Sequence, residues 1–254
     1  MLFLFEAMLV LYLAQFVILP IIIYFTVKTA ANPQFTTFDL AKPPIPLPSS
    51  YTQNLPVLES MGFELVAHVY SDTLSSRVRV ALTLFVNRLE KDIAVVTHIL
   101  SETPPATRLL VTFTEFSTEF EDGHEMNTSN SNQAALYVPV PEREVFKLPH
   151  VTNPRNLYYA HQALISRRHG VNKRLAPQGK EVDEVMNAMK RDLAREASFG
   201  RVALDKSGEW FRPTLKGAFY NTVMFVWPVG KLRRALERRR GVRLVGGVLG
   251  HATF

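Results

Sequence analysis

Carboxylates recur at Glu115, Glu119 and Glu121, and an imidazole follows at His124. Odd-numbered positions of an extended strand share one face, so the three carboxylates project together. Asp122-Gly123, between them and His124, is a strong hairpin signal. A two-residue turn there pairs Glu121 with His124, Glu119 with Met126, Ser117 with Thr128 and Glu115 with Asn130. The candidate ligand-binding set is therefore Glu115, Glu119, Glu121, His124, Thr128 and Asn130, one polar sheet face able to hold a polar ligand. The plainer reading is the solvated face of an edge hairpin. The spacing matches neither a calcium loop nor a zinc site, so no metal is expected.

Catalysis on this hairpin would need a second group, and His161 is the one available. It shares the inner face of a helix with Leu157, Leu164 and Ile165, where a hydrogen-bonded core histidine is the ordinary outcome. An enzyme would require His161 to converge with Glu119, Glu121 and His124 on a common point. The chain has no Walker loop, G-x-G-x-x-G, G-x-S-x-G or H-E-x-x-H run and no internal repeat. No catalytic residue and no cofactor are assigned on this evidence, and the reading leans away from an enzyme.

The positioning elements are legible from periodicity. Pro56, an apolar face of Val57, Leu58 and Met61, and Gly62 as cap make a short helix. Alternation over 63–70, 78–87 and 93–100 predicts three successive strands. In 108–120 the apolar phase slips from Leu109, Val111 and Phe113 to Phe116 and Phe120, which predicts a bulge near Thr114 and Glu115. Asn153-Pro154 opens a helix to about Arg168, and Glu181 to about Ser198 is amphipathic through Val182, Val185, Met186, Met189 and Leu193. The fold class expected is α+β: an antiparallel meander of about five strands packed by helices, with a basic helical C-terminal tail.

The first residues, Leu2 to Val27, are almost all hydrocarbon and predict a single-pass transmembrane anchor over 1–28. Glu6, Gln15 and Pro20 interrupt it, and no basic residue precedes Lys28 as a cleaved signal would require. Lys28 and Lys42 place the C-terminal part in the cytoplasm by the positive-inside bias, and the lack of cysteine agrees with a reducing compartment. Six prolines within 32–56 suggest a stiff spacer over 29–56. A globular domain then covers 57–216 and an apolar, polybasic tail 217–254.

Charge is divided along the chain. Residues 1–166 carry 10 basic and 15 acidic side chains (net −5), and 167–254 carry 19 and 8 (net +11). Trp227, Lys231, Arg233, Arg234, Arg238, Arg239 and Arg240 are expected to touch an anionic lipid bilayer. The helix 181–198, the hairpin turning at 205–208 and the run Arg212, Thr214, Lys216, Gly217 faintly resemble the wing of winged-helix DNA-binding proteins. No compact helix-turn-helix precedes them, since 170–179 is a long connection, and a nucleic-acid partner is not expected. The function expected is that of a membrane-anchored binding or interaction protein engaging a protein partner or small ligand. The alternatives are a dispersed acidic and histidine enzyme site on the 115–130 hairpin, or tethered DNA binding.

Overall fold

The computed structural model describes residues 2–45, 47, 51–75, 78–103, 106–133, 140–170, 172–226 and 228–245. They form an α+β protein of two compact units. Of the described residues, the larger comprises those within 34–133, 140–186 and 235–245, and the smaller those within 2–33 and 187–234.

The larger unit contains a seven-strand sheet: β2 (Thr36–Thr37), β3 (Glu64–Ser75), β4 (Val78–Asn87), β5 (Asp92–Thr103), β6 (Ala106–Glu119), β7 (Glu125–Ser129) and β8 (Arg143–Lys147). Strands β3 to β7 are consecutive antiparallel neighbours; β2 adds to β3, and β8 lies parallel to β7. The two additional strands were invisible to alternation: β2 is two residues long, and β8 joins by a parallel pairing that no hairpin signal announces.

Both faces of the sheet are covered over part of their width. The inner face carries Phe85, Ala94, Val96, Phe116, Phe120, Met126 and Phe146 against α2 (Leu55–Glu59) and α3 (Pro154–His169), which supply Leu58, Leu157, Tyr158, Leu164 and Ile165. Asn153 caps α3 by accepting the Arg155 amide at 2.9 Å, and Pro154 occupies the first turn. On the outer face Val69, Val80, Leu82 and Leu84 meet Val182 and Val185 of α4 (Glu181–Ser198). This two-sided burial explains the apolar slip along β6. Val111 and Phe113 belong to the outer face and Phe116 and Phe120 to the inner, with no bulge at Thr114–Glu115. The irregularity falls opposite Ile99–Leu100, where Leu110 is the extra residue.

The proline-rich stretch lies against the sheet. Phe38, Leu40, Ile45 and Leu47 pack around Tyr51, Tyr70 and Ala81.

In the smaller unit, α1 (Leu2–Thr26) packs along α5 (Leu215–Phe225), and β1 (Thr29–Ala30), β10 (Trp210–Pro213) and β9 (Val202–Leu204) form an antiparallel ribbon. Thr214 caps α5 by accepting the Gly217 amide, and a Cβ at Gly217 would stand 1.9 Å from the Arg201 carbonyl oxygen, so only glycine fits. The buried Arg201 pairs with Glu196 at 3.1 Å and lies 4.1 Å from the Tyr220 ring centre. Hence most of the expected interfacial segment is the packed helix α5, with Ala218 and Thr222 buried in it and Val226 buried at its cap. No helix is found among the described residues of 170–180, so the β9–β10 hairpin lacks a helix-turn-helix before it.

The expected transmembrane anchor is corrected. Among the described residues no helix is long and apolar enough to cross a membrane. Side chains of α1 are described without a break over 12–26. Within that stretch Pro20 is buried and Gln15 half-buried, while Leu13, Val17, Ile18, Ile21, Ile22 and Phe25 are exposed. The single-pass membrane placement and the cytoplasmic orientation derived from it fall with the anchor.

Two buried histidines beneath the proline-rich stretch make stability pH-dependent. His68 Nδ1 lies 3.2 Å from the Tyr51 hydroxyl and 3.0 Å from Thr83 Oγ1, and His98 Nδ1 lies 2.9 Å from Thr112 Oγ1; neither Nε2 has a partner among the described residues. Burial lowers both imidazoles, with Asp39 partly offsetting it at His68, and takes His98 to about 4. Exposed histidine takes its proton near 6.5, so the contribution is intact above that pH and is lost as pH falls toward 4. Urea midpoints should therefore drop between pH 7 and 4.5, and His98→Leu should flatten that slope; an unchanged slope would remove His98 from the account.

Candidate functional site

Two polar constellations occupy opposite faces of the sheet. The inner one is centred on Asp92, the first residue of β5, which has no exposed surface. Its Oδ1 accepts from the Thr118 hydroxyl, and its Oδ2 accepts from the Tyr158 hydroxyl at 2.8 Å and the Gln162 amide at 2.6 Å. Arg174 Nη1 lies 3.2 Å from both carboxylate oxygens, and its Nη2 donates to Gln162 Oε1 at 2.7 Å. Burial raises the Asp92 carboxyl, while Thr118, Arg174, Tyr158 and Gln162 pull it down. Next to Thr118 stands His161, with Nε2 at 2.9 Å from Thr118 Oγ1 and Nδ1 at 2.9 Å from Thr128 Oγ1.

Hydrogen-bond bookkeeping assigns the proton. Thr118 spends its hydrogen on Asp92, so its oxygen accepts from His161 Nε2–H, and His161 Nδ1 accepts from Thr128. Burial pushes the imidazole down to about 3, so it is neutral. Asp92, Thr118, Thr128 and His161 each expose 1% or less of their surface. A closed, mutually satisfied set has no open valence for a substrate, so this cluster is read as structural.

The outer constellation is open. Strand pairing sets three rows across β6, β7 and β8: Glu119 with Glu125 and Arg143, Ser117 with Asn127 and Val145, and Glu115 with Ser129 and Lys147. Glu125 organises them. It accepts from Arg143 Nε at 2.7 Å on one oxygen, and from Asn127 Nδ2 at 2.8 Å and Ser117 Oγ at 3.3 Å on the other. The Glu115 carboxyl is pushed up to about 7, first by burial and then by the Glu125 charge, with Arg143 and Lys147 opposing. Asn127 is buried, and its Oδ1 has no hydrogen-bond partner among the described residues. Beside the rows lies a cleft of about 340 Å³, including the solvent at its mouth, lined by Lys91, Ile93, Ser117, Glu119, Gln178 and Glu184 among others.

The structure divides the residues expected to act together. Glu115 and Glu119 lie in the outer rows, whereas Thr128 faces inward to His161. Asn130 is a staple: its Oδ1 accepts the Thr114 amide at 2.7 Å and its Nδ2 donates to the Val151 carbonyl at 3.2 Å. Glu121 is exposed beyond the strand, and its amide donates to the Lys173 carbonyl at 3.0 Å. His124 stands 3.3 Å from Asp122 at the turn.

The cause of this division is the turn itself. The Phe120 amide donates to the His124 carbonyl, and the Gly123 amide, at φ +82°, donates to the Phe120 carbonyl. This is a three-residue loop with glycine in the left-handed position, not the two-residue turn expected. Glu119 therefore faces Glu125, and every partner on β7 changes face. Glu125 and Asn127 were missed for that reason, Arg143 and Lys147 because β8 joins by a parallel pairing that no hairpin signal announces, and Asp92 and Arg174 because contacts between distant segments leave no local pattern.

Of the C-terminal residues expected to touch a bilayer, Trp227 lies outside the described residues. The others belong to α6 (Val229–Val245). Arg240 sits 5.2 Å from the Phe146 ring centre, and Arg233 Nη1 lies 3.0 Å from Met224 Sδ. Lys231, Arg238 and Arg239 are exposed and Arg234 half-buried. Among the described residues no group of three or more His, Cys, Asp or Glu could hold a metal ion.

Two substitutions separate the faces. Asp92→Asn removes the charge balancing Arg174 and should cost about 3–5 kcal/mol in chemical denaturation; a loss under about 1 kcal/mol would show the network to be dispensable. Glu115→Gln should act in one pH range only. A carboxyl raised in the folded state contributes fully below its ordinary value near 4.5 and loses that contribution as pH rises through about 7. The substitution should therefore stabilise by about 1–2 kcal/mol at pH 8 relative to its effect at pH 5, and equal effects at both would contradict the assignment.

No protein-family model matches this chain, and no curated protein or solved structure matches it.

Proposed function

We propose that this chain is a non-catalytic binding protein whose larger unit engages a polar ligand on the outer rows of β6, β7 and β8. The observation that carries the reading is the buried Asn127 carbonyl oxygen left without a donor beside a half-buried Glu115. An unpaired buried acceptor costs about 1–3 kcal/mol and is normally avoided. A ligand that donates to it recovers that cost on binding. The half-exposed Val145 and the adjoining cleft give access.

The arrangement argues against catalysis at this site. Glu119 and His161 lie on opposite faces of the sheet, so the acidic and imidazole groups do not converge on one point. The polar groups there are fixed by strand backbone and by Glu125, which suits recognition by preorganised acceptors.

The test is a fragment titration of the full chain followed by methyl and side-chain amide NMR. Saturable shifts should gather on the Val95 and Val145 methyls and the Asn127 amide, and Asn127→Leu should abolish them. Shifts confined to other parts of the chain, or shifts that survive in Asn127→Leu, would refute this surface as the binding site.

A further inference from the structure

We propose that the outer rows bind an organic primary ammonium, with Glu115 as its counter-charge and Asn127 Oδ1 as a second acceptor. This inference rests on the binding reading above and names the chemistry of the occupant.

Geometry supplies both acceptors. Asn127 turns its amide nitrogen to Glu125, which leaves its oxygen without a donor on the face it shares with Glu115. Glu115 lies opposite Val95 on one side and Ser129 on the other. The carboxylates of Glu119 and Glu125 stand in the first row, so an incoming anion meets repulsion and an incoming cation meets attraction. Arg143 and Lys147 offset part of this charge, and the three carboxylates Glu115, Glu119 and Glu125 against these two cations leave the rows net negative. Arg143 is held by Glu125, and the Lys147 ammonium donates to the Gln133 carbonyl.

The walls decide between kinds of cation. Val95, Phe113 and Val145 border the acceptors, so a hydrated metal ion would lose water against hydrocarbon and gain too few oxygen ligands. An alkyl chain buries its methylenes there while its ammonium supplies the missing donors. The same chemistry is offered by a free alkylamine and by a lysine side chain on another protein.

Binding must be coupled to the proton on Glu115. Ammonium prefers the ionised carboxylate, so below about pH 7 each binding event displaces a proton, and affinity falls as pH drops.

The experiment titrates the full chain with n-butylammonium, butyrate and butyramide, isosteric probes of different charge, in calorimetry and NMR. Butylammonium alone should saturate the patch, with affinity rising about tenfold per pH unit between pH 5 and 6 and levelling above pH 7. Its heat at pH 6 should depend on the buffer's ionisation enthalpy, and Glu115→Gln should weaken it at least tenfold and abolish that dependence. A capped lysine amide binding more tightly than butylammonium assigns the ammonium to a protein side chain, and weaker binding assigns it to a free amine. Butyramide or butyrate binding as well as butylammonium would overturn the ammonium assignment while leaving the surface a binding site. If none of the probes moves the patch, the binding reading fails with it.

Discussion

The buried carboxylate of Asp92 is the constraint on which the larger unit is assembled. It begins β5 at the end of the β4–β5 turn, yet its partners come from β6, from α3 and from the segment after α3. A carboxylate withdrawn from water is costly unless paired and hydrogen-bonded, and each donor it recruits fixes one more element. Arg174 balances the charge and also donates to the Glu90 carbonyl at 2.8 Å, locking the turn that leads into Asp92. Lys91, the only described non-glycine residue at positive φ, sits in that turn and donates to the Arg174 carbonyl. The strained turn and the charge network hold each other in place.

Direction is imposed on the polar chain that follows. Because Thr118 donates to Asp92, His161 has one available tautomer, and Thr128 on β7 completes the line. A single buried charge thus orients hydroxyls on two strands and an imidazole on the covering helix. Histidine here registers a helix against a sheet, and its neutrality follows from depth and from the neighbouring Arg174.

The two faces of β6 express opposite uses of polar groups. Inward, Thr118 and Thr128 are saturated and sealed by Phe116, Tyr158 and α3. Outward, Glu125 consumes three donors, and its neighbours Glu115 and Asn127 retain acceptor capacity. Stability accounts for the first arrangement; it offers no reason for the second, since an apolar residue at either position would avoid desolvation and repulsion.

Local chemistry determined much of the fold. Alternation located the central strands, Asn153-Pro154 placed the start of α3, and the helical spacing of Val182, Val185 and Leu193 delimited α4. These signals act within a few residues and need no partner. Tertiary structure decided the site. One loop residue between Phe120 and His124 shifted β7 by a position, and a period of two turns such a shift into an exchange of faces. The same dependence on partners governed α1, where an apolar run suggested a span while the helix packs beside α5 and no helix among the described residues is long and apolar enough to cross a membrane. Sequence by itself determined the long central strands and the helices α3 and α4, because backbone preference is local. Which face Glu115, Asn127 and Thr128 present, and which distant donors Asp92 collects, depended on register and charge pairing between segments far apart in the chain.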